Sequence, residues 1–398
     1  MRYLPIFFLP FSCIGISSVF TAISIVIYLF CMKKKIIYNN IIFFRNNKAI
    51  IISCSIMIIW IFSMIIASVI NGEYRGILES KHYAERMLYF ILAILFFTRD
   101  KKYFISFLFG LSGAVSILDI NTIFNFLYYS QWRPETLLGN PNKLGGYLIL
   151  VLPFIGIGLV ILREKMLYRL LELFVFLITG IALFLSGSRG AWIGIISSLF
   201  ILLVIIMFME KDVIKTKKIL NYIVYVFVCC VAVAVLFYII NPKFIFHSSD
   251  MERLYLWNSA IHMIKDNPIA GIGFGNFNEV YNNGYISEYA QEPKLTSPHN
   301  IFLHYTVSFG LLGGLTFIFL IFSQIYILLN NVRNINESKK LVVYASLCGI
   351  IGMIIHGMVD TLITTKPYAS MYWLLYGVSI CCFFNNTVES MSYNRNKL

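Results

Sequence analysis

Arg189 is a charged residue in a place where few charged residues are expected. It lies in the sequence Gly-Ser-Arg-Gly-Ala-Trp, between apolar runs at 170–187 and 190–209. A guanidinium at such a boundary is costly unless it binds an anion or extends into polar surroundings. Flanking glycines, Gly187 and Gly190, let a ligand approach the backbone closely. We therefore predict an anion-binding arginine, with a topology anchor paired to lipid phosphate as the alternative.

Arg253 lies near the start of a predicted helix that could hold phosphate. Apolar positions at 254, 257, 261 and 264 follow it at helical spacing. A helix start combines a guanidinium with backbone amides, and both bind phosphate oxygens. The alternative is a salt bridge from Arg253 to Glu252 or Asp250. Trp257, one turn further on, is a weaker candidate for contact with the same substrate.

His299 is the side chain best suited to move a proton. It lies in Ser-Pro-His-Asn at 297–300, directly before a long apolar stretch. An imidazole titrates near neutral pH and can accept the proton of an attacking hydroxyl. Taken alone, a histidine in this position is more often structural. The adjacent Asn300 is a further candidate for substrate contact, whereas packing would explain His304.

Two other groups of polar residues are weaker candidates. The segment Gly-Asn-Pro-Asn-Lys at 139–143 precedes an apolar run, where Asn and Pro are ordinary helix-capping residues. The candidate substrate contacts in and near it are Asn140, Asn142, Lys143 and Arg133. His356 and Asp360 would share one helix face if their helix continues that far. With Lys366 they would form a proton or ion pathway, or simply stabilise the helix end.

No metal-binding or nucleotide-binding motif accompanies these residues. The predicted outer loops lack Asp-x-Asp, His-x-x-x-His and any Cys and His grouping with zinc spacing. The chain has no Walker motif, and the glycines at 271, 273 and 275 are not a dinucleotide fingerprint because no strand accompanies them. We therefore predict no cofactor and no bound metal, so that arginine or lysine would neutralise a phosphate substrate.

The composition indicates which kind of fold positions these residues. Of the 398 residues, 59% are apolar, 16% aromatic and 13% charged, and the mean hydropathy is +0.78. Ordinary soluble domains have roughly 25% charged residues, so soluble, disordered and disulfide-rich secreted classes are excluded. The net charge of +13 is spread between apolar segments, which argues against a nucleic-acid partner. We predict an all-α polytopic membrane protein.

Eleven apolar stretches have lengths suited to membrane spans. They lie at 5–31, 49–70, 82–97, 103–123, 141–162, 170–187, 190–209, 219–241, 305–330, 341–358 and 368–385. Pro5 and Pro10 could divide the first stretch into two short helices. The total would then be twelve, and the N-terminus would change side.

Short basic connections alternate with connections that carry fewer lysines and arginines. The basic ones lie near 33–48, 99–102, 163–169, 211–218, 333–340 and 395–397. By the positive-inside rule they are cytoplasmic. The connections expected to face outward are 71–81, 124–140, the turn at 188–189, 242–304 and 359–367.

The chain is thus expected to have three parts. Helices occupy 1–241, a large outer segment with short helices occupies 242–304, and C-terminal helices with a short tail occupy 305–398. The outer segment interleaves tyrosines and other aromatic residues with Asp, Asn and Glu. Such a mixture predicts a small ordered cap with aromatic faces for sugar rings or apolar tails.

The ordered set of motifs resembles the O-antigen ligase family of bacterial envelope enzymes. The resemblance rests on Ser188-Arg189-Gly190 at a span boundary, on Arg253 with Trp257, Pro268, Gly271 and Gly273, and on His299-Asn300 followed by nine residues and Gly310-Leu-Leu-Gly313. The Gly-Asn-Pro-Asn segment at 139–142 and the single large, late outer loop agree with it. The likeness therefore covers most of the chain.

The resemblance implies transfer of a glycan from undecaprenyl pyrophosphate to a lipid A-core sugar, without metal or ATP. Arg189 and Arg253 would bind the pyrophosphate, and His299 would help to deprotonate the acceptor hydroxyl. A single displacement would invert the anomeric centre. The chain would lie in the bacterial inner membrane with its site facing the periplasm, and its partners would be the donor, the acceptor and membrane lipids.

Two alternatives stay open. O-antigen polymerases of the same superfamily use a similar donor but a lipid-linked acceptor. An Arg-x10-Gly spacing associated with some polymerases is missed by one residue at Arg133, because Gly145 follows after eleven. A polysaccharide flippase or other transporter predicts charges at mid-bilayer depth, where the sequence offers almost none, Asp119 being the closest.

Overall fold

All regular elements in the described part of the chain are helical. The computed structural model describes residues 3–15, 18–31, 34–97, 101–130, 132–162, 164–209, 221 and 249–383. Within these ranges, seven helices are long and apolar enough to cross a membrane. The predicted all-α polytopic membrane class is therefore confirmed. The predicted span 219–241 lies almost entirely outside the described residues.

The helices are numbered here in chain order. The first group is α1 (Leu4–Phe8), a 3-10 helix (Leu9–Cys13), α2 (Val19–Cys31), α3 (Lys34–Asn46), α4 (Lys48–Ile70), α5 (Tyr74–Phe96), α6 (Lys101–Tyr129), α7 (Pro141–Ile161), α8 (Met166–Ser186) and α9 (Arg189–Met209). The second group is α10 (Ser249–Asp266), α11 (Phe277–Val280) with a π-type turn (Tyr281–Tyr285), α12 (Ile301–Val332), α13 (Glu337–Gly357), a 3-10 helix (Leu362–Thr364) and α14 (Lys366–Cys381).

The first apolar stretch consists of two short helical segments, as the alternative interpretation expected. The first segment ends at Cys13 and α2 begins at Val19, with Gly15 between them at a φ of 82°. The proposed cause was wrong, because Pro5 and Pro10 both lie in first turns, where proline is tolerated. Helix α2 has 13 residues and would extend about 20 Å, less than the ~30 Å hydrocarbon core.

Several predicted boundaries are wrong because the helices continue past their apolar runs. Helix α5 begins at Tyr74, so the expected outer loop 71–81 shrinks to a short turn. Helix α6 continues to Tyr129, and α12 already begins at Ile301. Hydropathy marks the part of a helix that crosses lipid, whereas hydrogen bonding carries the helix further into polar surroundings.

Helix α14 forms the centre of the bundle. Its residues from Tyr368 to Cys381 are all buried, and it packs along α5. Helix α13 lies against α7 and α9, and α12 lies against α4. This packing brings together the ends of α7, α9, α12 and α13 that are predicted to face outward, called the outer ends below, and the candidate residues lie there.

Two carboxyl groups are buried between α6 and α8. Thr179 Oγ1 donates to Asp119 Oδ2 at 2.7 Å, and Ser112 Oγ donates to Glu172 Oε1 at 2.8 Å. Both carboxyl-bearing side chains are almost completely buried. Asp119 was expected as the closest candidate for a membrane-embedded charge, and Glu172 was overlooked. Each carboxyl joins two helices through a hydroxyl donor, a common form of interhelical contact in membranes.

Helix α12 is interrupted at Gly310, which has φ 64° and ψ −166°. In an unbroken helix Leu311 N would donate to Val307 O. Here Leu311 N donates to Pro268 O at 2.8 Å, and Val307 O accepts from Ile272 N at 2.8 Å. The segment 268–272 therefore occupies the break and satisfies both backbone groups, which fixes the outer segment to a membrane helix.

Candidate functional site

His299 and Asp360 lie next to each other at the outer end of the bundle. His299 Nδ1 lies 3.6 Å from Asp360 Oδ1, and the side chains are 32% and 11% exposed. His299 has a φ of 46°, in the left-handed region, directly before α12 begins. With Nδ1 directed at the carboxylate, Nε2 is the ring nitrogen left for a substrate proton.

Asn300 holds this histidine in place by capping α12. Its Oδ1 accepts from Phe302 N at 3.0 Å and Leu303 N at 3.1 Å. Its Nδ2 donates to Met358 O at 3.1 Å. Because both ends of the amide are engaged within the protein, Asn300 fits a positioning role better than the substrate contact expected from the sequence.

The Asp360 carboxyl is held in its ionised form. Burial by itself raises the pKa of this group, but the His299 imidazole, the nearby His356 and the Thr361 backbone N–H together hold it below its ordinary value. Thr361 N donates to Asp360 Oδ1 at 2.7 Å. A buried carboxylate beside two imidazoles can stabilise a proton accepted by either of them.

His356 links this pair to the turn that carries Arg189. Helix α13 ends at Gly357, so it does not continue to Asp360, and the condition for a shared helix face is not met. His356 is buried, and its Nε2 lies 3.5 Å from Ser188 Oγ. A Cβ on Gly190 would come within 2.7 Å of His356 Cδ2, so this contact requires glycine. Lys366, expected in the same group, is exposed at the start of α14.

Arg133, Arg189 and Arg253, called the arginine cluster below, are close enough to one another for Arg189 and Arg253 to act electrostatically on Arg133. Burial and then the positive charges of Arg189 and Arg253 lower the pKa of Arg133. Arg253 is also close enough to His356 to interact with it electrostatically. Arg189 begins α9, whose first amides point outward and add partial positive charge. This concentration of positive charge suits a ligand with several negative oxygens.

Arg133 is held against the turn that carries Arg189. A Cβ on Gly187 would come within 2.8 Å of Arg133 Cγ, so the arginine stem lies directly over this glycine. Arg133 Nη2 donates to Asn142 Oδ1 at 2.8 Å, which assigns Asn142 to orienting the guanidinium. The sequence indicated Arg133 only weakly, since it lies in the 130–140 connection without a motif.

The remaining predicted contacts divide between capping, rim and packing positions. Asn140 Oδ1 accepts from Lys143 N at 3.0 Å and caps α7, as the simpler interpretation held. Lys143 is half-buried at the start of the same helix. Trp257 packs in the small core of the outer segment, and its buried indole N–H has no acceptor among the described residues.

Glu73 and Asn71 hold the outer segment in place, and no sequence pattern singled them out. Glu73 accepts a hydrogen bond from Asn276 Nδ2 and lies over Gly273, which has a φ of 86°. Asn71 Nδ2 donates to Ala270 O at 2.8 Å. The short turn between α4 and α5 therefore anchors the segment that enters the break in α12. Polar residues in a short turn are too common to mark such a role in advance.

Part of the chain is similar to a known protein family. Residues 174–318 match the model for the family described as O-antigen ligase. This range includes Arg189, Arg253, His299 and Gly310, while Asp360 lies beyond it. A Haemophilus influenzae protein described as an uncharacterized protein is 26% identical over 358 residues, which are 83% of this chain and 83% of that protein. Over residues 174–318, which carry much of the candidate site, the chain is thus similar to the O-antigen ligase family.

Proposed function

We propose that this protein transfers a glycan from undecaprenyl pyrophosphate to a sugar of the lipid A core. The observation that carries the proposal is the arginine cluster beside the His299–Asp360 pair. The arginine cluster suits a diphosphate, and the His299–Asp360 pair suits a hydroxyl that must lose its proton. A glycosyl transfer from a polyprenyl diphosphate requires both.

In the proposed reaction the acceptor hydroxyl oxygen attacks the anomeric carbon of the donor sugar. The new glycosidic bond forms as the bond from that carbon to the phosphate oxygen breaks, and the electron pair leaves with the diphosphate. The acceptor proton passes to His299 Nε2, and Asp360 stabilises the resulting imidazolium. A direct displacement of this kind inverts the anomeric centre.

The arginines would act mainly on the transition state. The diphosphate gains negative charge while its bond to carbon breaks, so fixed guanidiniums stabilise the transition state more than the bound donor. Arg189 and Arg253 are assigned to the pyrophosphate, and Arg133, Asn142 and Lys143 to its surroundings. Trp257, Asn140 and Asn300 would support the site through packing and helix caps. No metal, nucleotide or other cofactor is part of the proposal.

The proposed location is the inner membrane of a bacterium, with the site facing the periplasm. Multiple apolar helices make the chain a multi-pass membrane protein. The distribution of lysines and arginines supports cytoplasmic placement of the α12–α13 connection, which carries Arg333, Lys339 and Lys340. The candidate site lies at the other end of those two helices.

Deletion of the gene tests the choice of acceptor. Loss of the protein should leave lipid A core without long polymer, while lipid-linked polymer accumulates. If the deletion strain instead carries single repeat units on its core, the ligase proposal fails and a polymerase activity explains the site.

A further inference from the structure

An open groove lies on the outer segment, away from the arginine cluster. It has a volume of about 480 Å³ and runs between the second half of α10 and the strap formed by residues 284–289. This volume is within the ~300–1,000 Å³ range of small-molecule sites. The helix contributes Asn258, His262 and Asp266, and the strap contributes Glu288 and Tyr289.

Helical geometry separates this groove from the proposed reaction centre. Asn258, His262 and Asp266 recur every four residues, so they share one face of α10. Arg253 lies five residues before Asn258, and at ~100° per residue its side chain projects from roughly the opposite face. The groove and the Arg253 side chain therefore lie on opposite faces of α10.

Two hydrogen bonds hold the strap on the helix and a third holds the chain just beyond it, so the groove is formed in advance. Ser259 Oγ donates to Tyr285 O at 2.6 Å, and Tyr285 Oη donates to Asp266 Oδ2 at 2.6 Å. Just beyond the strap, Gln291 N donates to the buried Glu252 carboxylate at 2.7 Å. A site organised before binding loses less entropy when its ligand arrives.

The lining has the chemistry that recognises sugar rings. Tyr285 and Tyr289 line the groove, and Tyr289 is 74% exposed. The Tyr255 ring, which is not part of the lining, lies 6.3 Å from the Tyr289 ring. Aromatic faces cover the apolar C–H faces of a pyranose, while an amide, an imidazole and carboxylates bond its hydroxyls. The carboxylates of Asp266 and Glu288 also disfavour an anionic ligand at this place.

We propose that this groove binds a neutral or amino-sugar segment of the glycan, remote from the bond that is formed. The inference rests on the proposed glycan transfer, and it adds a second, chain-binding subsite on the opposite side of α10. A donor with many sugars would reach both the arginine cluster and the groove. A donor with one repeat unit would reach only the arginine cluster.

Binding of free glycan tests the groove without requiring transfer. The full-length protein in detergent would be titrated with neutral polysaccharide released from lipid carrier by mild acid hydrolysis, with saturation-transfer NMR as the readout. Tyr289→Ala should weaken this binding about tenfold, equivalent to ~1.4 kcal/mol. Tyr74→Ala is the matched control, because Tyr74 is also 74% exposed but lies on α5. Equal binding by the wild type and Tyr289→Ala would overturn the proposal, as would equally strong binding of a polyanionic glycan.

Transfer kinetics then separate the two proposals. Tyr289→Ala should raise KM for a long-chain donor about tenfold and leave kcat and KM for a single-repeat donor unchanged. If the wild type transfers neither donor, while Tyr289→Ala still weakens glycan binding, the proposed function fails and the groove stands. If transfer occurs but Tyr289→Ala changes neither glycan binding nor the long-donor KM, the groove fails and the proposed function stands.

Discussion

His299 Nδ1 lies 3.6 Å from Asp360 Oδ1, although His299 precedes α12 in the sequence and Asp360 follows α13. The carboxylate favours the tautomer in which Nδ1 carries the proton and Nε2 can accept another. Asp360→Asn should therefore lower kcat/KM by ~10²-fold or more, near the lower end of the ~10²–10⁴-fold contribution of a general base. His299→Ala should be at least as severe. The double variant should be no slower than His299→Ala alone, because the two residues act as a unit.

The pH dependence distinguishes orientation from a merely structural contribution of Asp360. Since its pKa is lowered, the ionised carboxylate stabilises the fold above the ordinary aspartate value of roughly 3.9, and this contribution is lost as the pH falls through the folded-state pKa. Between roughly pH 5 and 8 the carboxylate stays ionised. The advantage of the wild type over Asp360→Asn in kcat/KM should be constant in this range and shrink in acid, as the wild-type carboxylate becomes protonated. An advantage that persists in strong acid would show a structural effect instead.

The arginine cluster gives a prediction about geometry rather than charge. Arg189→Lys and Arg253→Lys should each lower turnover by ~10²-fold or more, since an ammonium cannot reproduce the bidentate guanidinium. Arg75→Lys is the matched control, because Arg75 is exposed near the outer end of α5. Rates would be compared at equal amounts of membrane-inserted protein. Full activity of both lysine variants would remove the proposed pyrophosphate contacts.

Gly310 is predicted to be essential for the attachment of the outer segment. A Cβ at this position would overlap the Ile269 carbonyl oxygen, and its φ of 64° is unfavourable for any other residue. Gly310→Ala should destabilise the protein by at least ~1–3 kcal/mol, the cost of a strained backbone position. Thermal unfolding in detergent, followed by tryptophan fluorescence, would measure the loss.

Gly180→Ala provides the control for that experiment. A Cβ on Gly180 would meet nothing within 4 Å, and the residue lies inside helix α8. Alanine should leave the protein unchanged or stabilise it by up to ~1 kcal/mol. Similar melting temperatures for the two alanine variants would show that the break in α12 does not depend on Gly310.

Cysteine labelling tests the sidedness of the candidate site. Asn283 and Asn334 are both exposed, and they lie at opposite ends of the molecule according to the predicted topology. In intact spheroplasts an impermeant maleimide should label Asn283→Cys and leave Asn334→Cys unlabelled until the membrane is opened. The reverse pattern would place the site in the cytoplasm and exclude an acceptor on the periplasmic face.

Sequence patterns predicted the helical membrane class well, because apolar runs of about 20 residues are typical of membrane-spanning helices. They also led to the prediction of Arg189, Arg253 and His299, which stand out as polar residues beside apolar helices and whose roles stay predictions. The break in α12 could not be predicted, since its hydrogen bonds join Pro268 and Ile272 to residues about 40 positions later.

Boundaries and partners were harder to predict than element types. Charged residues in the first half of α5 concealed that the helix begins at Tyr74. Spacing alone suggested a shared face for His356 and Asp360, whereas the helix ends between them. The pairing of Asp360 with His299 depends on how two distant segments pack, so no local sequence pattern predicts it.

A reconstituted transfer reaction tests the central proposal most directly. Purified protein in detergent would receive undecaprenyl-pyrophosphate-linked polymer and two competing acceptors, lipid A core and a lipid-linked repeat unit, with excess EDTA and no nucleotide. The proposal predicts polymer on lipid A core, with inverted anomeric configuration, and strongly reduced turnover by His299→Ala. Polymer found only on the lipid-linked acceptor, or turnover that stops in EDTA and returns with magnesium, would contradict it.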